Sequence, residues 1–111
     1  MAAMFTLRFD MRAPSTGAPV ADLYRSAIDM AEWGEANGCV SVLISEHHAS
    51  PDGYLPSPLV LASAIAARTR TTPIIVGALL LNFYDPIKLA EDMVVLDIVS
   101  GGRVSYVIGL G

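Results

Sequence analysis

Apolar and polar residues alternate over Phe5-Thr6-Leu7-Arg8-Phe9, which predicts a first strand ending near Asp10. Two prolines, a glycine and Ser15-Thr16 make Ala13 to Pro19 a loop. The period then changes. From Val20 to about Asn37, Leu23, Ala27, Met30, Ala31 and Gly34 recur at three- and four-residue steps and predict a helix with one buried stripe. Asn37-Gly38 ends it, glycine being suited to the left-handed conformation of a helix C-terminus. Val40 to Ser45 reads as a second strand leading into Glu46-His47-His48, and Ala49 to Pro56 as a loop turning at Pro51-Asp52-Gly53. Ser57-Pro58 opens a second helix running to about Thr69, with the serine as cap and the proline at the first helical position. Ile74 to Leu81 is an apolar run without alternation, expected to be a strand buried on both faces. Asp85-Pro86 repeats the cap-plus-proline start of a helix lined by Leu89, Met93, Leu96 and Val99, which Gly101-Gly102 stops. Arg103 to Ile108 is a fourth strand.

Strands that alternate with helices imply a parallel α/β sheet. The choice lies between an open doubly wound sheet and an arc of a closed barrel. A dinucleotide fold needs G-x-G-x-x-G after its first strand, where this chain has Asp10-Met11-Arg12-Ala13-Pro14. Gly109-Leu110-Gly111 has no helix after it. The chain has 111 residues, taken as one unit over 1–111, while a complete (β/α)₈ TIM-type barrel needs roughly 250. Four strands and three helices are therefore expected to form an incomplete barrel.

Composition agrees. Apolar residues make up 53% of the chain, above the roughly 45–50% of ordinary domains, as strands covered on both faces require. Ile74 to Leu81 is the longest apolar stretch and falls well short of the about 20 residues of a bilayer span. Met1 to Asp10 shows no secretory pattern, and Cys39 is the sole cysteine and reads as a buried structural thiol, so a cytoplasmic location is expected. Net charge is −4 with no Lys/Arg cluster, which argues against nucleic acid as a partner.

Ligands of parallel α/β folds meet the carboxyl ends of the strands. Those ends are Asp10, Glu46-His47-His48, Leu81-Asn82-Phe83 and Gly109-Leu110-Gly111, and both histidines of the chain fall in one of them. Adjacent residues of a strand point to opposite faces, so only one of His47 and His48 is expected to face the barrel axis. An imidazole there can move a proton near neutral pH, with Glu46 to orient it or contribute charge. Alternatively, the pair caps a strand end and bonds loop backbone. A metal site would need three protein ligands, and adjacent histidines rarely reach one ion. Trp33, Met30 and Met93 are expected to be packing residues. Asn82-Phe83-Tyr84 could line a planar ligand or pack onto its own rim.

In combination these segments resemble the N-terminal part of the luciferase-like flavin-dependent monooxygenases, a family that includes bacterial luciferase and the deazaflavin-dependent reductases. The resemblance rests on Ala36-Asn37-Gly38, Ser45-Glu46-His47-His48, Pro58, Ile75-Val76-Gly77, the stretch Asp85 to Asp92, and the stretch Leu96 to Arg103. It implies a barrel binding FMN or coenzyme F420, and an oxidoreductase or monooxygenase in which His47, with Glu46 beside it, assists chemistry at the flavin. It places the cofactor against Ala78, Leu79, Leu80 and Asn82, with a non-proline cis peptide at Ala78-Leu79 or Leu79-Leu80. Where luciferase has a phosphate-contacting arginine after strand four, this chain has Leu110. Barrel phosphate sites come from the loops after strands seven and eight, so this segment alone is expected to bind flavin weakly or not at all. Two other readings remain: a non-catalytic half-barrel that pairs through its open edges, as a dimer or partner subunit, and a metal-dependent barrel hydrolase.

Overall fold

The computed structural model describes residues 3–111; Met1 and Ala2, and the part of the secretory-signal reading that falls on them, lie outside the described residues. The chain runs β1 (Phe5–Phe9), α1 (Val20–Ala36), β2 (Cys39–Ile44), α2 (Pro58–Arg68), β3 (Ile74–Leu80), a 3₁₀ turn (Leu81–Phe83), α3 (Pro86–Ser100) and β4 (Val104–Gly109). Every element expected from the hydrophobic pattern is present, with ends shifted by a residue or so.

All strand pairs are parallel, and the spatial order β1-β2-β3-β4 equals the chain order. This order decides between the two architectures. A doubly wound sheet reverses its strand order at a switch point, whereas here each crossover moves one strand onward in the same direction. The sheet is an arc of a barrel wall with helices on its outer side.

Register shows which residues share a face. Val42 lies opposite Ile74 and Ile44 opposite Val76; all four are fully buried, with Leu61, Ile65, Leu89 and Leu96, in the layer between sheet and helices. Alternation turns the intervening residues toward the barrel axis: Thr6 opposite Ser41, Arg8 opposite Leu43, Ile75 opposite Ser105 and Gly77 opposite Val107. β3 is accordingly buried toward the helices but only half-buried at Ile75, Gly77 and Ala78.

The helix starts differ in a way their residues explain. Asp85 accepts the backbone N–H groups of Ile87 and Lys88, both at 3.0 Å, as a cap should. Ser57 makes no side-chain capping bond, contrary to expectation; Pro58 brings no N–H to the first position, and the first turn closes through the Ser57 carbonyl alone. At the far end of α3, Gly101 takes φ 64° and closes the helix onto Asp97 and Ile98.

Three packing expectations need correction. Met30 is 47% exposed, because β1 is an edge strand and the stripe of α1 overhangs it into an open groove lined also by Leu7, Phe9 and Leu23. Trp33 is 60% exposed and touches the core only through the edge of Phe5, ring centroids 6.1 Å apart. Val99 is half exposed, in an open groove between α2 and α3 that Val60 and Val95 also line. Cys39 is buried and free, its thiol directed at the Ser41 carbonyl, as expected of a structural thiol.

Two polar clasps hold the amino ends of the strands. The Glu35 carboxylate receives backbone N–H groups from Arg70, Thr71 and Thr72 and the Thr72 hydroxyl. Arg103 spreads its guanidinium over the Ala66, Thr69, Thr72 and Ser100 carbonyls and the Thr69 hydroxyl. No described helix is long and apolar enough to cross a membrane.

Candidate active site

β2 ends at Ile44, and the next four residues leave the sheet at its carboxyl rim. Their side chains part as the two-residue period dictates. Glu46 and His48 face the start of α2, near Ser57 and Leu59; His47 turns instead to Tyr54 on the following loop.

Glu46 is 3% exposed and its carboxylate has three partners. One oxygen accepts the Leu80 backbone N–H at 2.7 Å. The other accepts the Tyr84 hydroxyl at 2.7 Å and lies 2.8 Å from His48 Nε2. An ionised carboxylate only accepts, so the imidazole donates. Burial pushes the Tyr84 phenol up, and its bond to Glu46 pushes it further, so Tyr84 stays neutral and a donor. The His48 ring stacks on Phe83 with centroids 4.0 Å apart. Sequence reasoning paired Glu46 with the axis-facing imidazole, but the carboxylate reaches His48 instead. Residues two apart share a side, and that spacing was the available signal.

His47 is exposed and stacks on Tyr54 at 3.7 Å. Its backbone N–H donates to the Leu55 carbonyl, and the Leu55 N–H donates to the Asp10 carbonyl, so the loop after His48 folds back across the ends of β1 and β2. Arg12 lies over the other side of this group, 5.1 Å from the Tyr54 ring centre and 2.6 Å from an Asp52 oxygen. Hydrogen bonds from Ser50 and Arg12 hold the Asp52 carboxyl below its ordinary range. Met11 and Ala49, at φ 60° and 56°, are non-glycine residues in the left-handed region, one in each loop that frames His47. Tyr54, Asp52 and Arg12 were not picked out from the sequence as site residues, since nothing in a loop's pattern tells which residues fold back.

The four residues expected against a cofactor are divided. Ala78 and Leu80 stand on the axis side next to Gly109, where an added Cβ would come within 2.8 Å of the Ala78 Cβ. Leu79 is fully buried in the core. Asn82 is exposed on the 3₁₀ turn. The cis peptide is Gly77-Ala78, one bond earlier than expected. Phe83 and Tyr84 of the aromatic stretch pack onto their own rim through His48 and Glu46.

The fit to a flat ring can be judged from these residues. Gly77 and Ala78 are half-buried on the axis side, with Leu43 and Val107 closing over Gly77, and Ala78 and Leu80 over Gly109. The buried Ser45 hydroxyl, immediately before Glu46, has no partner among the described residues. Arg12 at this rim is paired with Asp52, and Arg8, on the axis side of β1, is exposed. The small residues Gly77 and Ala78 beside Leu80 fit the face of a planar ring. Among the described residues no three His, Cys, Asp or Glu side chains converge as a metal site requires.

Comparison with known proteins gives this wall its context. The luciferase-like monooxygenase family model matches residues 2–111. The 4-hydroxyprotoasukamycin monooxygenase of Streptomyces nodosus subsp. asukaensis is 31% identical over 84% of the chain and 25% of its own length. The oxygenase component of the flavin-dependent trigonelline monooxygenase of Acinetobacter baylyi is 28% identical over 96% of the chain and 30% of its own length. Among solved structures, the oxygenating constituent of 3,6-diketocamphane monooxygenase from the CAM plasmid of Pseudomonas putida, in complex with FMN, superposes with a TM-score of 0.85 at 29% identity, over 100% of this chain and 30% of that one. The chain thus spans under a third of the length of the relatives it matches. It belongs to the luciferase-like monooxygenase family, as part of the barrel of that family.

Proposed function

We propose that this chain forms the substrate- and flavin-facing wall of an FMN-dependent monooxygenase or related oxidoreductase, with His47 as the proton-handling side chain. The observation that carries this reading is the separation of the two histidines: the His48 ring is bound to the buried Glu46, while the exposed His47 ring has no hydrogen bond among the described residues. Imidazole is the side chain suited to giving or taking a proton near neutral pH. FMN, when bound, supplies the redox chemistry that amino-acid side chains lack. Backbone at Gly77 and Ala78 and the Leu80 side chain would meet the ring, and Asn82 would stand at the rim. Tyr54 holds the His47 ring in one plane by stacking. The test is an FMN titration of the protein at its full natural length, followed by turnover of His47→Ala. Binding with lost turnover supports the reading; a wild-type protein that ignores FMN removes it.

A second reading, association through the sheet edges, has its own observation. Among the described residues β1 and β4 each lack a neighbour on one side, and Val107, Ile108 and Leu110 on or beside β4 are half exposed or more. Open parallel edges invite pairing with another chain. Light scattering on the eluting protein separates a dimer from a stable monomer, and the latter excludes this reading.

A further inference from the structure

We propose that Glu46 is a positioning residue: its buried carboxylate latches the carboxyl end of β3 at the place where the flavin ring would lie, with Tyr84 and His48 completing the latch. The inference rests on the flavin reading above.

The ladder between β3 and β4 is irregular where it matters. Pairing is continuous from Ile74 to Gly77 and resumes only at Leu79 after a register shift. On its other side β3 pairs with β2 only as far as Val76, so its last residues have a strand partner on one side alone among the described residues. Leu80 ends the strand, and its N–H goes to Glu46 instead. Tyr84, which follows the 3₁₀ turn, is drawn to the same carboxylate, and Phe83 of that turn lies flat on His48. One side chain thus fixes both ends of Leu81–Phe83 and, through Leu80, the Ala78 neighbourhood beside Gly109.

A buried carboxylate is an expensive way to join two loops, because removing the charge from water costs several kcal/mol before its partners repay it. An apolar pair of similar size would serve if joining were all. What the carboxylate adds is direction: two oxygens accept from a backbone amide and a phenol at 2.7 Å each, which leaves the strand end little freedom. Cofactor and substrate alignment within a fraction of an ångström is what such rigidity serves.

The experiment uses the protein at its full natural length. Glu46→Gln keeps the side-chain volume but leaves one accepting oxygen for partners that now use two. We expect the Leu80 amide to exchange with solvent at least tenfold faster and FMN affinity to fall about tenfold. Tyr84→Phe, which keeps the Leu80 tie, should give a smaller loss of both and stands in should Glu46→Gln not fold. Glu35→Gln is the control for general destabilisation, since Glu35 holds the opposite end of β3 through Arg70 to Thr72. Wild-type FMN affinity and Leu80 protection in Glu46→Gln would overturn the proposal, and so would an equal loss of affinity in Glu35→Gln. Failure of the flavin reading is distinct, because it shows in the wild type as absence of FMN binding, whereas failure of the latch shows only in the difference between wild type and variant.

Discussion

The His47 ring lies against the Tyr54 ring, centroids 3.7 Å apart and planes inclined by 27°, so the loop after β2 supplies a shelf for the imidazole. Among the described residues the His47 ring has this stack and no side-chain hydrogen bond, so the shelf orients it.

Replacing His47 with Ala should therefore separate chemistry from folding. Loss of one stacked pair at an exposed site costs about 0.5–1 kcal/mol, measurable by denaturant titration. Turnover of the protein at full natural length should fall by about 10²–10⁴-fold, the ordinary worth of a general acid or base. FMN affinity should stay within about threefold by fluorescence titration. Undiminished turnover would remove His47 from the mechanism.

The order of elements was legible because it is written in periods. The step from two-residue alternation at Phe5–Phe9 to the three-and-four spacing of Leu23, Ala27, Ala31 and Gly34 marks the change from strand to helix. Asp85-Pro86 and Gly101 bracket α3 for reasons local to the backbone. Partner choice is another matter. Glu46 and His47 are neighbours in sequence, yet the carboxylate finds Leu80 and Tyr84, more than thirty residues away, because β2 and β3 end side by side. A period says which residues share a face and not what stands opposite. Met30 fails for the same reason: it continues the apolar stripe of α1 past the edge of β1.

Gly34→Ala tests that packing with two opposed effects. In an open helix the change would stabilise by about 1 kcal/mol. Here an added Cβ would come within 2.8 Å of Leu7 Cδ1 and 3.0 Å of the Cys39 Cβ. The leucine tip can turn aside, but the Cys39 Cβ is fixed to strand backbone. Overpacking of this kind costs about 1–3 kcal/mol, so the variant should be less stable than the wild type by about 1 kcal/mol. A raised melting temperature would show that α1 moves freely on the sheet.

Glu35 sets an acid limit on stability. Desolvation pushes its carboxyl up, but the N–H groups of Thr71, Thr72 and Arg70 and the Thr72 hydroxyl together outweigh it and lower the value from 4.5 to about 2. A group depressed in the folded state stabilises fully above its unfolded value and loses that contribution as pH falls through the folded one. Between pH 4.5 and about 2, then, the wild type should lose about 1–2 kcal/mol that Glu35→Gln does not lose, the shift being worth less than its full size at a partly solvated carboxylate. Unfolding titrations of both proteins at stepped pH measure the difference. Parallel curves would mean that the loop from Arg70 to Thr72 leaves Glu35 in solution.

Arg103 makes the sharpest case for a planar side chain. Its Nε donates to the Ser100 carbonyl at 2.6 Å, one terminal nitrogen to the Thr69 hydroxyl and Thr72 carbonyl at 2.9 Å each, and the other to the Ala66 and Thr69 carbonyls at 2.8 and 3.1 Å. These acceptors come from the end of α2, the entry to β3 and the end of α3, so one guanidinium joins three segments at the amino side of the sheet. A lysine carries the same charge on a single nitrogen and can satisfy at most three acceptors clustered about one point. Arg103→Lys should therefore destabilise by about 2–3 kcal/mol through carbonyls left without donors. The loss should be as large at high salt as at low, because hydrogen-bond geometry and not exposed charge is what the substitution removes. A lysine variant as stable as the wild type, or one rescued by lowering the salt, would mean that charge alone holds this end of the sheet together.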